Sequence, residues 1–344
     1  GSISVLATFM NAYCNKNSII RYSAITFCVR AGSALILFAM NIAVARFLGV
    51  NDSGVFFLAL TIIQALSEVT RFGMDNIMMR FVSSAWEEKD SSRIIGICLQ
   101  GLAIISIIGL VVTTLLLLSA EWLSLVVFND AGLSKPLHVM ALALIPFSLA
   151  WFFSGLLKAV RLPAQANFIE SGAIPLVICV SLSVLTFAMR GNGSAAVVAD
   201  LYVLAAFLSS ALGGILFFKR LPRESLRPAP ISTGKLLASG WHLMCVGILN
   251  FSILWSSSLF LGHYTDSRSV SLYNIAHRSA SLISFILVII NSIIAPRFAV
   301  LYSQGKTLAL EKLAVKSAFI MSILAAPILI FTILYPKLIL SVFG

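Results

Sequence analysis

Long apolar blocks separated by short polar stretches set the pattern of this chain. A helix needs about 20 apolar residues to cross the hydrocarbon core of a bilayer. Nine blocks reach that length: 22–47, 54–79, 94–118, 137–157, 166–189, 195–218, 236–261, 271–295 and 314–334. The pattern predicts about nine spanning helices. Pro146, Pro175 and Pro327 lie inside blocks and predict kinks, which a helical bundle tolerates where neighbours satisfy the freed carbonyls. The stretch EWLSLVVF (121–128) follows the third block and is expected to cap that end of the bundle or to lie in the membrane interface.

Composition agrees with the pattern. Of 344 residues, 59% are hydrophobic and 11% charged, and the mean hydropathy is +1.00. Soluble domains carry about 25% charged residues. So few charges do not cover a surface in water, and an all-α membrane protein is the class that remains. The five cysteines (14, 28, 98, 179 and 245) are scattered, form no C-x-x-C pair and read as small apolar packers.

The net charge of +11 does not point to nucleic acid, because Lys and Arg sit between apolar blocks instead of along one soluble face. With the N-terminus inside, sixteen of the 24 Lys and Arg fall on the cytoplasmic side and five on the other. That asymmetry predicts a cytoplasmic N-terminus. The longest cytoplasmic connector, KRLPRESLRPAPISTGK (219–235), is basic and Pro-rich and follows six blocks. It is expected to link two lobes and to hold anionic lipid headgroups.

The two lobes are repeats. RFLGVNDSGVFFLA (46–59) returns as LFLGHYTDSRSVSLYNIA (259–276), with Phe-Leu-Gly offset by 213 and, after a four-residue insertion, Val55, Phe56 and Ala59 offset by 217. Arg80-Phe81 meets Arg297-Phe298 at the same 217, and AEWLSLVVFN (120–129) meets YPKLILSVFG (335–344) at 215. Both copies keep the same direction, so this is a parallel repeat about an axis along the membrane normal. The expected organisation is a six-helix N-terminal lobe (1–218), the linker (219–235) and a partial C-terminal lobe of three helices (236–344). The second copy ends about 85–90 residues short of the first. The chain opens on Gly-Ser-Ile-Ser without Met, which suggests a processed start or a fragment.

VARFLGVNDSGVFFLA (44–59), RFGMDNIMMRFVS (71–83), the basic linker and LYNIAHRSASLISFILVIINSIIAPRFAVLY (272–302) together resemble the O-antigen-type polysaccharide flippases. That branch belongs to the superfamily that also holds the multidrug extruders and the lipid II flippase. The resemblance implies two pseudo-symmetric helical bundles in a V-shaped exporter fold, the second bundle here incomplete, around a central cavity. It implies inner-membrane transport, by alternating access, of a polyprenyl-pyrophosphate-linked oligosaccharide during surface polysaccharide (lipopolysaccharide) biosynthesis, with a polysaccharide polymerase as a candidate partner. The first block carries no Asp or Glu, unlike the drug extruders. Met40 and Asn41 stand where the lipid II flippase carries an Arg-Asp pair, so Asn41 is placed among the cavity residues.

Charge inside a membrane costs about 2.5–3.5 kcal/mol at mid-bilayer and marks a partner or a wet cavity. Arg30, Arg71 and Arg278 lie inside blocks. As cavity residues they would attract pyrophosphate, since guanidinium stays charged and grips phosphate oxygens in pairs. The plainer reading makes Glu68–Arg71 an internal ion pair and lets Arg30 and Arg278 snorkel. Glu68, Arg71 and Asp75, spaced i, i+3, i+7, share one helix face. Glu68, Asp75 and His277 are the candidates for ion coupling. No metal site, cofactor motif or catalytic constellation is expected: QGKT (304–307) has Val300 where a phosphate-binding loop needs Gly. The rival readings are a drug/cation antiporter of the same fold and a non-transporting remnant or scaffold.

Overall fold

The computed structural model describes residues 16–188, 193–221, 232–278, 280 and 307–334, and among them there is no strand. They fall into two compact units, Ser33–Asn274 and the described parts of Gly1–Gly32 with Ile275–Phe343.

The first two apolar blocks form one element, α1 (Lys16–Arg71), interrupted at Gly49. At about 1.5 Å per residue, the 47 residues from Ile25 to Arg71 measure about 70 Å of helix, twice what a bilayer core accommodates. Gly49 (φ 74°, ψ 176°) occupies a backbone region essentially closed to residues with a side chain. The predicted polar turn is thus concentrated in one glycine, and Asn51 to Gly54 are already helical.

After α1 come α2 (Met74–Glu87) and α3 (Ser91–Trp122), which ends in a π-helical turn at Leu123–Val127. Next are α4 (Ser134–Ala141), α5 (Leu144–Ala159), α6 (Pro163–Ser171), α7 (Ala173–Ala188) and α8 (Ala195–Arg220). Then follow α9 (Thr233–Tyr264), α10 (267–278) and α11 (Thr307–Leu334). Among the described residues, four helices are long and apolar enough to cross a membrane, or up to six when each bent pair counts as one span. The block 271–295 lies mostly outside the described residues. The block 314–334 falls in α11.

The two bent pairs have a sequence cause. α4 and α5 meet at 50°, and α6 meets the helix of α7 at 49°. The breaks fall at 142–143 and at Gly172, within a residue of the carbonyls that Pro146 and Pro175 would crowd four positions back. Pro327 sits inside α11 without a break.

α5 is the centre of the larger unit, packing on α2, α3, α6 and α8. Twelve of its 16 residues are buried, as expected of a helix apolar all round. One core gathers Phe56, Phe57, Leu58, Phe147 and Tyr202; a second gathers Met74, Ile77, Met78, Phe152, Phe153 and Phe217. α2 reaches α5 closely because Gly155 lacks a side chain: a Cβ there would overlap the Asp75 carbonyl. Away from the core, α3 exposes Ile107, Leu110, Val111, Leu115 and Leu118, each 54–79% accessible. So wide an apolar face on a 32-residue helix is a lipid-facing surface.

The smaller unit holds the start of α1, the end of α10 and α11. Along α11, Leu308, Val315, Phe319 and Ile323 are exposed.

Candidate substrate cavity

Three helix faces line an open cavity of about 370 Å³ in the larger unit. α1 contributes Gln64, Ser67, Glu68 and Arg71, which share one face at helical spacing. α5 contributes Phe147 and Trp151, one turn apart. α9, the first helix after the basic linker, contributes Gly247, Asn250, Phe251, Leu254 and Trp255 as a single stripe.

The charge of this cavity sits at a chain break. α1 ends at Arg71, Phe72 (φ 49°) and Gly73 (φ 66°) take left-handed conformations, and α2 begins with Asp75 in its first turn. A cation at a helix C-terminus and an anion at an N-terminus are each favoured by the helix dipole. Arg71 is 5% exposed and is ion-paired with Glu68. Its other terminal nitrogen lies 3.6 Å from Asp75 Oδ2, and its Nε–H donates to the Ser67 carbonyl at 3.4 Å. The guanidinium packs 4.3 Å over the Trp151 ring. One buried cation therefore faces two carboxylates and an indole.

α9 comes close to this cluster through two glycines seven residues apart. A Cβ on Gly247 would stand 2.5 Å from Glu68 Oε2, and one on Gly240 would stand 2.5 Å from the Phe72 ring and 2.8 Å from its carbonyl. Near Gly54, away from this cluster, polar contacts join α1, the turn after α3, α9 and α10. Ser53 and Ser271 hydroxyls are 2.8 Å apart. The Ser267 hydroxyl donates to Asp130, and His263 Nδ1 bonds the Val127 carbonyl. A Cβ on Gly54 would overlap the Ser267 carbonyl. These contacts tie the Gly54 end of α1 to the start of α10.

Of the residues singled out in the sequence, Glu68 and Arg71 line the cavity and Asp75 holds Arg71 from the side. Asn41 is 2% exposed and is not among the lining residues. Arg30 is exposed and His277 and Arg278 are half-buried; all three belong to the smaller unit. Trp151, Trp255, Gln64 and Asn250 were not singled out by sequence reasoning. For Asn250 and Trp255 the signal is the aromatic and amide stripe at 247, 250, 251, 254 and 255, which in an apolar block reads as ordinary packing; Gln64 and Trp151 carry no local signal. Among the described residues no cluster of His, Cys, Asp and Glu is suited to a metal ion.

In fold, this bundle of long apolar helices resembles solved structures of membrane transporters. An inward-facing multidrug resistance MATE-family transporter of the MOP superfamily matches with a TM-score of 0.66 at 17% identity, covering 93% of this chain and 75% of that one. The MATE multidrug transporter DinF-BH, solved as a complex, matches at 0.64 and 14% identity over 96% and 75%. A MATE protein in a bent conformation matches at 0.55 and 16% identity over 95% and 74%. No curated protein matches by sequence. The family model described as polysaccharide biosynthesis protein matches residues 19–302, and the chain belongs to that family.

Proposed function

We infer that this protein is a flippase that moves a polyprenyl-pyrophosphate-linked oligosaccharide from the inner to the outer leaflet of the inner membrane, by alternating access, during O-antigen-type polysaccharide biosynthesis. The family match over residues 19–302 carries this reading. The cavity supports it, because its wall mixes indole rings with planar amide and carboxylate groups, the side chains that suit sugars. The N-terminus lies in the cytoplasm on this reading, following the Lys and Arg asymmetry, and the lobes divide at the linker 219–235. Arg30 and Arg278 serve the pyrophosphate, and Asn41 is a further substrate-path candidate. Glu68, Asp75 and His277 are the coupling candidates; one charge moved through 100 mV supplies about 2.3 kcal/mol. Membrane lipids carry the polyprenyl tail, and a polysaccharide polymerase receives the product.

A second reading, a drug/cation antiporter, is favoured by one observation: two carboxylates surround the cation that lines the cavity. Expression in cells lacking their own flippase separates the two. Restored surface polysaccharide, lost with Arg30→Ala and Arg278→Ala, is the expected result. Organic-cation resistance that depends on Glu68 or Asp75, without restored polysaccharide, would overturn the flippase reading.

A further inference from the structure

Within the flippase reading, on which this inference rests, we propose that the cavity between α1, α5 and α9 is a subsite for one sugar ring of the oligosaccharide, with Trp151 and Trp255 as its walls, and that it does not bind the pyrophosphate. Charge excludes the phosphate first. Arg71 is the cation lining the cavity, and Glu68 and Asp75 already engage it. A pyrophosphate would have to displace a carboxylate from a buried guanidinium while facing the second carboxylate, a like-charge approach at low dielectric.

The amide groups disfavour the lipid tail. Gln64 on α1 and Asn250 on α9 both line the cavity, and an alkyl chain there would leave the remaining hydrogen-bonding capacity of the two amides unmet. Asn250 spends one amide donor on the Val246 carbonyl at 3.1 Å, which fixes the side chain along α9. Planar carboxamide and carboxylate groups suit neighbouring hydroxyls of a sugar ring, which donate and accept together.

The aromatic walls suit the rest of the ring. A pyranose has an apolar face of C–H bonds that packs flat on an indole, and two indoles plus Phe147 and Phe251 are available. The Trp151 ring packs on the Arg71 guanidinium, which lies 4.3 Å from the ring centroid. Its Nε1–H is buried without a hydrogen-bond partner among the described residues. A sugar hydroxyl accepts such a donor once the indole turns toward it; an organic ammonium ion cannot. The volume, about 370 Å³, is at the low end of small-molecule sites, about 300–1,000 Å³, and takes a ring or two but no extended oligosaccharide.

The test is tryptophan-fluorescence titration of the protein in lipid nanodiscs. The probes are the methyl pyranosides of glucose, galactose and mannose, N-acetylglucosamine, sodium pyrophosphate and tetraphenylphosphonium. Saturable quenching by at least one sugar is expected. Trp255→Ala and Asn250→Ala should each weaken that sugar about tenfold, Trp255→Phe less, and none should alter pyrophosphate binding. An unchanged thermal midpoint certifies that each variant is folded; if Trp255→Ala unfolds, Trp255→Phe and Asn250→Ala carry the comparison. No sugar response, or one indifferent to Trp255 and Asn250, would overturn the subsite; restored export in cells would then still support the flippase reading. Pyrophosphate competing with the sugar would also overturn the subsite. Tetraphenylphosphonium binding that is lost in Glu68→Gln, with no sugar binding, would overturn both.

Discussion

Ser53 and Ser271 stand 218 positions apart and share a 2.8 Å hydrogen bond. Ser53 lies in the copy 46–59 and Ser271 in the copy 259–276, so the two copies of the repeated segment touch at this bond.

A Ser53→Cys/Ser271→Cys pair should form a disulfide on oxidation. On the alternating-access reading this contact parts during transport, so the oxidised protein should lose export and recover it with a reducing agent. Cross-linking scored by gel mobility, with export in parallel, checks this. Full export by the fully cross-linked protein would remove the contact from the transport cycle.

Gly49 has open space around it, with nothing within 4 Å of a built Cβ. Its constraint is the backbone alone. Gly49→Ala should destabilise the protein by about 1–3 kcal/mol, the cost of holding a side-chain-bearing residue in that conformation. Thermal unfolding in detergent measures it. A substitution without effect would mean that the break between the two arms of α1 is not fixed at Gly49.

Arg71 pairs with two carboxylates at 6% side-chain exposure. Arg71→Met leaves both uncompensated and should cost about 3–5 kcal/mol. Adding Glu68→Gln should return part of that loss, a coupling that a double-mutant cycle reads directly. Arg71→Lys should not restore full stability, because a point charge replaces neither the fork nor the stacking on Trp151.

Asp266 caps the start of α10, accepting from the Ser269 hydroxyl at 2.6 Å and its backbone N–H at 3.1 Å. These bonds hold its carboxyl below its ordinary value of 3.8. A carboxyl lowered on folding stabilises the fold above its unfolded pKa, and that contribution is lost as pH falls through the folded value. Asp266→Asn should therefore be less stable than the parent at about pH 6–7, and the difference should close below the ordinary carboxylate range. A pH series of unfolding midpoints decides it; a difference that persists unchanged in acid would contradict the cap.

Much of the helical architecture was legible because spanning segments must be long and apolar. Pro146 and Pro175 announced bends, and the structure puts the breaks at the turn each proline crowds. The break at Phe72–Gly73 was not legible: apolar residues continue across 54–79, and a left-handed Phe leaves no mark in a hydrophobic pattern. The cavity was half legible for a related reason. Glu68 and Arg71 announce themselves by charge and spacing on one helix. Trp151 over Arg71 and Gly247 against Glu68 depend on helices 80 to 179 residues away along the chain, which no local periodicity reports.

The central claim is that this fold carries a lipid-linked oligosaccharide. Its most direct measurement places the protein in liposomes with a fluorescent polyprenyl-pyrophosphate oligosaccharide and follows the fraction that a membrane-impermeant reductant can bleach. The account predicts that bleaching passes the outer-leaflet half at a rate that falls in Trp255→Ala and in Arg30→Ala/Arg278→Ala. Bleaching that stops at one half with the unaltered protein, while tetraphenylphosphonium is transported, would contradict it.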